Sequence, residues 1–218
     1  MEHIIYFCKI ADSDIDSQVV SHLPRERQGR IKSSLRKQKT LQLYVSSMLC
    51  GYVLQKHGRS YSEVRRNAVG KPYIEGLHFN LSHSGQYVVM SVSEHEVGID
   101  IQQKITVSEV GAKAFFSDGE LQRACRSDFG LAELWCRKEA FLKCTGNGWD
   151  GKAASRCSVF DDSVDFGGSR YYLTSFSDID DYFLTVCEKS TAPMDFVVQE
   201  VSKHELERFY RDGNDPRE

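Results

Sequence analysis

Between residues 78 and 102 the chain runs through three extended stretches, near 78–82, 87–93 and 97–102, joined only by the turn-like Ser-Gly-Gln and Glu-His-Glu. Connections that short join antiparallel neighbours, because a parallel crossover needs about a dozen residues. They predict an antiparallel meander around which the rest must be built. A strand is expected at 3–10, then a helix in which Leu41, Val45, Met48, Leu49, Tyr52 and Val53 recur at helical spacing, closed by Gly58. Further on, Ser117 and Glu120 have capping-box spacing, and another helix is expected over 130–145, ending near Gly146 and Gly148. Strands return near 156–160, 170–176, 182–188 and 195–201, followed by a short amphipathic helix. This order predicts an α+β protein of two similarly built halves, 1–98 and 99–210, with a flexible tail at 211–218. The halves would meet beside Val97 to Gln102, and a seam between lobes is a favoured place for a ligand cleft.

The 218 residues, 40% hydrophobic and 27% charged, suit a globular chain with a substantial core. The start, Met1 to Lys9, lacks the pattern of a secretion signal, and no apolar run approaches the roughly 18 residues of a membrane span. A cytoplasmic protein with no membrane partner is therefore expected. Seven cysteines, odd in number and without a C-x-x-C pair, argue against a disulfide framework or a zinc knot and read as small core residues. The net charge of −3 hides an asymmetry: Arg25, Arg27, Arg30, Lys32, Arg36, Lys37 and Lys39 stand against the single acid Glu26. A solvated helix face accounts for such a run as well as a landing site for phosphates or an acidic protein does. Nucleic acid is not expected, because the whole chain is acidic and no aromatic residues interleave with these basic ones.

Three stretches carry candidate chemistry. In Val97 to Gln102, alternation puts Val97, Ile99 and Ile101 on one face and Gly98, Asp100 and Gln102 on the other. Alone, that polar face reads as an ordinary solvated strand face, with Gly98 leaving room for a ligand beside the backbone. Trp135, Glu139 and Lys143 share one helical ridge. An exposed Glu-to-Lys pair of this spacing is worth only about 0.2–0.5 kcal/mol, but Trp135 implies a covered face, where a lysine needs a standing anion. In Phe79 to Gly85, Ser82 and His83 could donate to phosphate oxygens, or form a turn bonded to its own backbone. Adjacent in sequence, they point different ways, and no G-x-S-x-G elbow surrounds them. Lys71, between Gly70 and Pro72, adds a cation on a stiffened loop. Two carboxylates and a lysine in one cleft are what a magnesium-bound phosphorylated substrate requires.

Taken in order, Gly70 to Pro72, Phe79 to Gly85, Gly98 to Gln102 and Trp135 to Lys143 resemble the G-K-P, F-N-[IL]-S-H-S-G, G-[IV]-D-[IV]-E and W-x-x-K-E-[AS]-x-x-K stretches of 4′-phosphopantetheinyl transferases of the Sfp type. The resemblance extends from the basic segment near Arg27 to at least Gly148. It implies a pseudo-dimer of two helix-plus-antiparallel-sheet halves in one chain. It also implies transfer of phosphopantetheine from coenzyme A to a serine of an apo acyl, peptidyl or aryl carrier protein, releasing adenosine 3′,5′-bisphosphate; the broad apolar helix and strand content suits a monomer. By the same resemblance Asp100 and Glu139 would bind Mg2+, Glu139 or a water it holds would take the serine proton, and Lys143 would steady the phosphates. Arg27, Arg30, Lys71, Ser82 and His83 would contact coenzyme A, the histidine at the 3′-phosphate. One position departs: Gln102 stands where the family has an acid, and its amide oxygen can face the metal but brings no charge. That departure alone favours an alternative, a coenzyme A- or carrier-binding module of the same fold without turnover. A hydrolase using Ser82, His83 and an acid is a third reading, and it would need neither magnesium nor coenzyme A.

Overall fold

A computed structural model describes residues 3–10, 14–67, 70–104, 112–113, 115–126, 130–147, 157–176, 179 and 181–214. In chain order the elements are β1 (Ile4–Lys9), α1 (Ser17–His22), α2 (Arg25–Ser33), α3 (Lys37–Lys56), a 3-10 turn (Tyr61–Glu63), β2 (Arg65–Arg66), β3 (Pro72–Tyr73), β4 (His78–Ser84), β5 (Tyr87–Ser93) and β6 (Val97–Gln103). There follow α4 (Asp118–Ala124), α5 (Gly130–Thr145), β7 (Ser163–Phe166), β8 (Ser169–Phe176), β9 (Tyr182–Lys189), β10 (Val197–Glu200) and α6 (Lys203–Arg211). Two four-stranded sheets result, ordered β10-β1-β5-β4 and β6-β9-β8-β7, beside the small β2-β3 ribbon. The α+β expectation is met.

Period-two alternation gives each sheet two apolar faces with different partners. Between the sheets lies a layer of Ile5 and Val89 from the first and Val97, Ile99, Ile101, Leu184 and Val186 from the second. On the other face of the first sheet, Cys8, Val88, Met90 and Val92 pack with Leu41, Val45, Met48 and Leu49 of α3, and α6 joins the same core through Leu206 and Tyr210. Tyr44 Oη donates to Glu207 at 3.0 Å and Tyr210 Oη to the Met48 carbonyl at 3.0 Å, so α3 is held between sheet and helix. Leu134, Phe141 and Cys144 of α5 pack with Leu173 and Cys187 on the outer face of the second sheet. All seven cysteines are free thiols and six are buried, as small core residues.

The fold differs from the sequence expectation in three places. β4 and β5 form the expected hairpin, but β6 leaves it and pairs with β9 in the second sheet. Both faces of β6 are apolar-covered, one by the inter-sheet layer and one by α5, and a short corner lets a strand change sheets as readily as turn back. No strand forms at 157–160, and β7 begins later. Arg137 occupies the carbonyls that a ladder there would use, with Nε on Val159 O at 2.6 Å and Nη2 on Asp161 O at 2.8 Å. Finally, β10 pairs in parallel with β1, Ile4 opposite Val197, so the strand expected near 195–201 and the helix after it join the first sheet and its core. The expected positions at Gly148, at 156 and at 215–218 lie outside the described residues.

α5 is fixed against β6 by close approach and to α4 by buried charge. A Cβ on Gly98 would collide with the Ala140 carbonyl oxygen and the Cys144 amide nitrogen, so the space anticipated there for a ligand belongs to the helix. Lys138, fully buried, donates to Glu120 Oε1 at 2.8 Å and to Cys157 O at 2.6 Å, tying α5 to α4, whose Ser117–Glu120 capping box forms as its spacing predicts. Because both atoms facing Gly98 are backbone, Gly98→Ala is expected to destabilise the fold by about 1–3 kcal/mol in urea unfolding. A loss under about 0.5 kcal/mol would show that α5 can move off the strand at little cost.

Candidate active site

β4 and β6 are edge strands of different sheets that face each other across the seam, and side chains bridge them. Asn80, Ser82 and Ser84 alternate along β4 and all reach β6: Asn80 Oδ1 accepts from Ile99 N at 3.1 Å, Ser82 Oγ donates to Asp100 Oδ1 at 2.7 Å, and Ser84 Oγ accepts from Gln103 N at 3.2 Å. Phe79 and Leu81, in between, turn into the first core. The sequence reading assigned no role to Asn80 or Ser84. The signal was present as a period-two polar run on a strand whose other face is apolar.

Asp100 is not on a solvated face. Its side chain is only 7% exposed, because α5 covers the side of β6 that carries Gly98 and Asp100. A carboxylate so placed needs a counter-charge and hydrogen bonds. Lys143 supplies the charge, with Nζ 2.5 Å from Asp100 Oδ1, 3.0 Å from Ser82 Oγ and 3.2 Å from the Ile99 carbonyl oxygen. One helical turn back, Glu139 Oε2 lies 4.0 Å from the same ammonium, so Lys143 stands beside both carboxylates. The far end of that ridge is covered as Trp135 implied, by edge-on contacts with Phe115 and Phe116 at ring separations of 5.3 and 6.0 Å. The anion that the ridge required is Asp100.

The other predicted residues take different positions. Gln102 is half-buried two residues along β6 from Asp100. Ser82 is buried and bonded to Asp100 and Lys143, whereas His83, on the opposite side of the strand, is exposed, an arrangement that does not make a serine–histidine nucleophile. Desolvation by the surrounding protein and the neighbouring Lys143 charge hold the His83 ring below the ordinary imidazole range, with Asp100 and Arg27 also acting on it. Lys71 Nζ donates to Val97 O at 3.2 Å and to Cys144 O at 3.1 Å, a cation at the C-terminal end of α5 whose pKa burial lowers. Arg27 donates from Nε to Tyr61 Oη at 3.1 Å and lines a cavity of about 210 Å³ with Arg66, Pro72, Phe79 and Leu81. Arg30 is exposed and 4.0 Å from Glu26.

Among the described residues no three His, Cys, Asp or Glu side chains converge as a metal cage. What the seam offers is two carboxylates gathered at one lysine, hard oxygen donors that fit Mg2+ when phosphate oxygens and water complete the shell. Cys136 lies beneath Asp100 with Sγ on the Asp100 carbonyl oxygen at 3.3 Å, and burial together with the Asp100 charge holds its thiol well above the ordinary range.

The family model described as the 4′-phosphopantetheinyl transferase superfamily matches residues 96–187. Among curated relatives, 4′-phosphopantetheinyl transferase gsp of Aneurinibacillus migulanus is 38% identical over 90 residues, 38% of each chain. The psf-1 protein of the same name from Bacillus pumilus is 42% identical over 87 residues, 36% of this chain and 37% of its own. Sfp of Bacillus subtilis strain 168 is 27% identical over 155 residues, 66% of this chain and 69% of its own. The chain thus spans less than two fifths of the length of the first two. The segment matched by the family model contains Asp100, Glu139 and Lys143, so the part of the chain that carries the seam cluster is similar to the 4′-phosphopantetheinyl transferase superfamily.

Proposed function

We propose that the chain transfers the 4′-phosphopantetheine group of coenzyme A to a serine of an apo acyl, peptidyl or aryl carrier protein, in the presence of Mg2+, and releases adenosine 3′,5′-bisphosphate. The observation that carries this reading is the seam cluster, where Asp100 and Glu139 flank Lys143 within reach of Ser82. In this reading Asp100 and Glu139 would hold the metal, with the Gln102 amide oxygen as an uncharged third donor, and a bound Mg2+ would supply charge neutralisation at the pyrophosphate. The serine oxygen forms a bond to the phosphorus bearing the pantetheine arm, and the bond from that phosphorus to the bridging oxygen of the pyrophosphate breaks. Glu139, or a water it holds, accepts the serine proton, and Lys143 steadies the phosphate oxygens as charge moves to the leaving bisphosphate. No covalent enzyme intermediate is needed.

Lys71, Ser82 and His83 contact coenzyme A in this scheme, with Arg27 and Arg30 toward its nucleotide. The charges of Lys143 and Arg27 both act on the His83 ring, which stands on the exposed side of β4. The exposed Arg25, Lys32, Arg36, Lys37 and Lys39 add a positive field that draws an acidic carrier. We place the protein in the cytoplasm as a monomer. Among the described residues no helix is long and apolar enough to cross a membrane.

Intact-mass spectrometry of apo carrier proteins incubated with the protein, coenzyme A and Mg2+ tests the reading. One phosphopantetheine should be added to a carrier, and Asp100→Ala or Glu139→Ala should slow the addition by roughly 10²-fold or more. No addition on any carrier, with coenzyme A still bound, would replace the transferase by a binding module. A Mg2+ titration of Gln102→Glu tests the third donor. Restoring a charged oxygen should lower the Mg2+ concentration at half-maximal rate, and an unmoved midpoint would remove Gln102 from the metal site.

A further inference from the structure

The side chains bridging the seam do more than fill it. In an antiparallel pair, alternate residues turn their backbone groups away from the partner strand, and on β6 the outward-facing groups of Val97, Ile99 and Gln103 are met by Lys71, Asn80, Lys143 and Ser84. The Ile99 residue is held at both ends. Its N–H donates to Asn80 Oδ1 at 3.1 Å, and its C=O accepts from Lys143 Nζ at 3.2 Å. Asn80 is 5% exposed and sits on β4 opposite Ser91, two residues before Ser82. The reaction proposed above gives it nothing to do.

We propose that Asn80 is a positioning residue for the Asp100–Lys143 pair, acting through the backbone of Ile99. The kinetic consequence rests on the transferase reading; the geometry does not. Without the Asn80 acceptor the buried Ile99 N–H is unpaired, and the strand edge must shift or admit water to satisfy it. A turn of that backbone carries the Ile99 carbonyl away from Lys143 and displaces the adjoining Asp100. An ammonium has three protons, and Lys143 has Asp100, Ser82 and the Ile99 carbonyl as close partners, so losing one frees the head to swing. Misplacement of about 1 Å at a reacting centre costs on the order of 10²-fold in rate. Asn80 touches none of the reacting atoms, so the loss falls on kcat and leaves the carrier KM, set by surface contacts, unchanged.

The test uses the full chain with Asn80→Leu, which keeps the volume and loses the acceptor. Four quantities are measured: thermal unfolding, amide exchange at Ile99, the nitrogen resonance of Lys143 Nζ, and kcat and KM for phosphopantetheine transfer. In the wild type the Ile99 amide should exchange as slowly as the β6 amides bonded to β9. Asn80→Leu should move the Lys143 resonance and lower kcat by about 10²-fold at constant KM. A fast-exchanging Ile99 amide in the wild type overturns the proposal by itself, even where Asn80→Leu fails to fold. So does a folded Asn80→Leu protein with unchanged kcat and an unmoved Lys143 resonance. If the wild type is inactive on every carrier while Asn80→Leu still moves the Lys143 resonance, the transferase reading falls and the coupling through Ile99 stands.

Discussion

Asp100 carries a charge beneath a helix, on a strand that among the described residues is the edge of its sheet, and such a charge persists only when other elements compensate it. Lys143 reaches it from α5 of the second sheet, and Ser82 reaches it from β4 of the first. The pair therefore depends on two contacts holding their places together: α5 on β6, and β6 beside β4. Gly98 permits the first by leaving no Cβ between strand and helix. The apolar layer of Ile5, Val89, Ile99 and Val186 maintains the second.

The same constraint explains the polarity of the seam. One side of β6 belongs to a dry inter-sheet layer, while its open edge meets amide, hydroxyl and ammonium groups rather than another strand. Side-chain bridges leave more space between strands than a ladder does, and the carboxylates collect there. Glu139 lies farther from Lys143 than Asp100 does, 4.0 Å against 2.5 Å, so the ammonium is committed mainly to Asp100. The two acids thus differ in environment, and in the proposed reaction only Glu139, the less committed of the two, also takes a proton.

Local patterns made much of this legible before the structure. Helical recurrence located α3 and α5, the Ser117–Glu120 spacing gave a true capping box, and Trp135 signalled a covered ridge whose lysine required an anion. Period-two alternation assigned the faces of β6 correctly but not what covers them, because alternation separates two faces without naming the partner of either. The departure of β6 from the hairpin, and of β10 to the first sheet, depends on nonlocal pairing, which short turns leave undetermined. Arg137 overrode the strand expected at 157–160 from more than twenty residues away in sequence, taking carbonyls that no local pattern reserves.

The seam assembles the site only if Asp100 and Lys143 are energetically coupled across the α5–β6 contact. A double-mutant cycle on folding stability with Asp100→Asn, Lys143→Met and the pair measures it most directly. The account predicts an interaction energy of about 1–3 kcal/mol. Additive effects, within about 0.5 kcal/mol, would mean that the two charges are held independently and that the seam does not assemble the site.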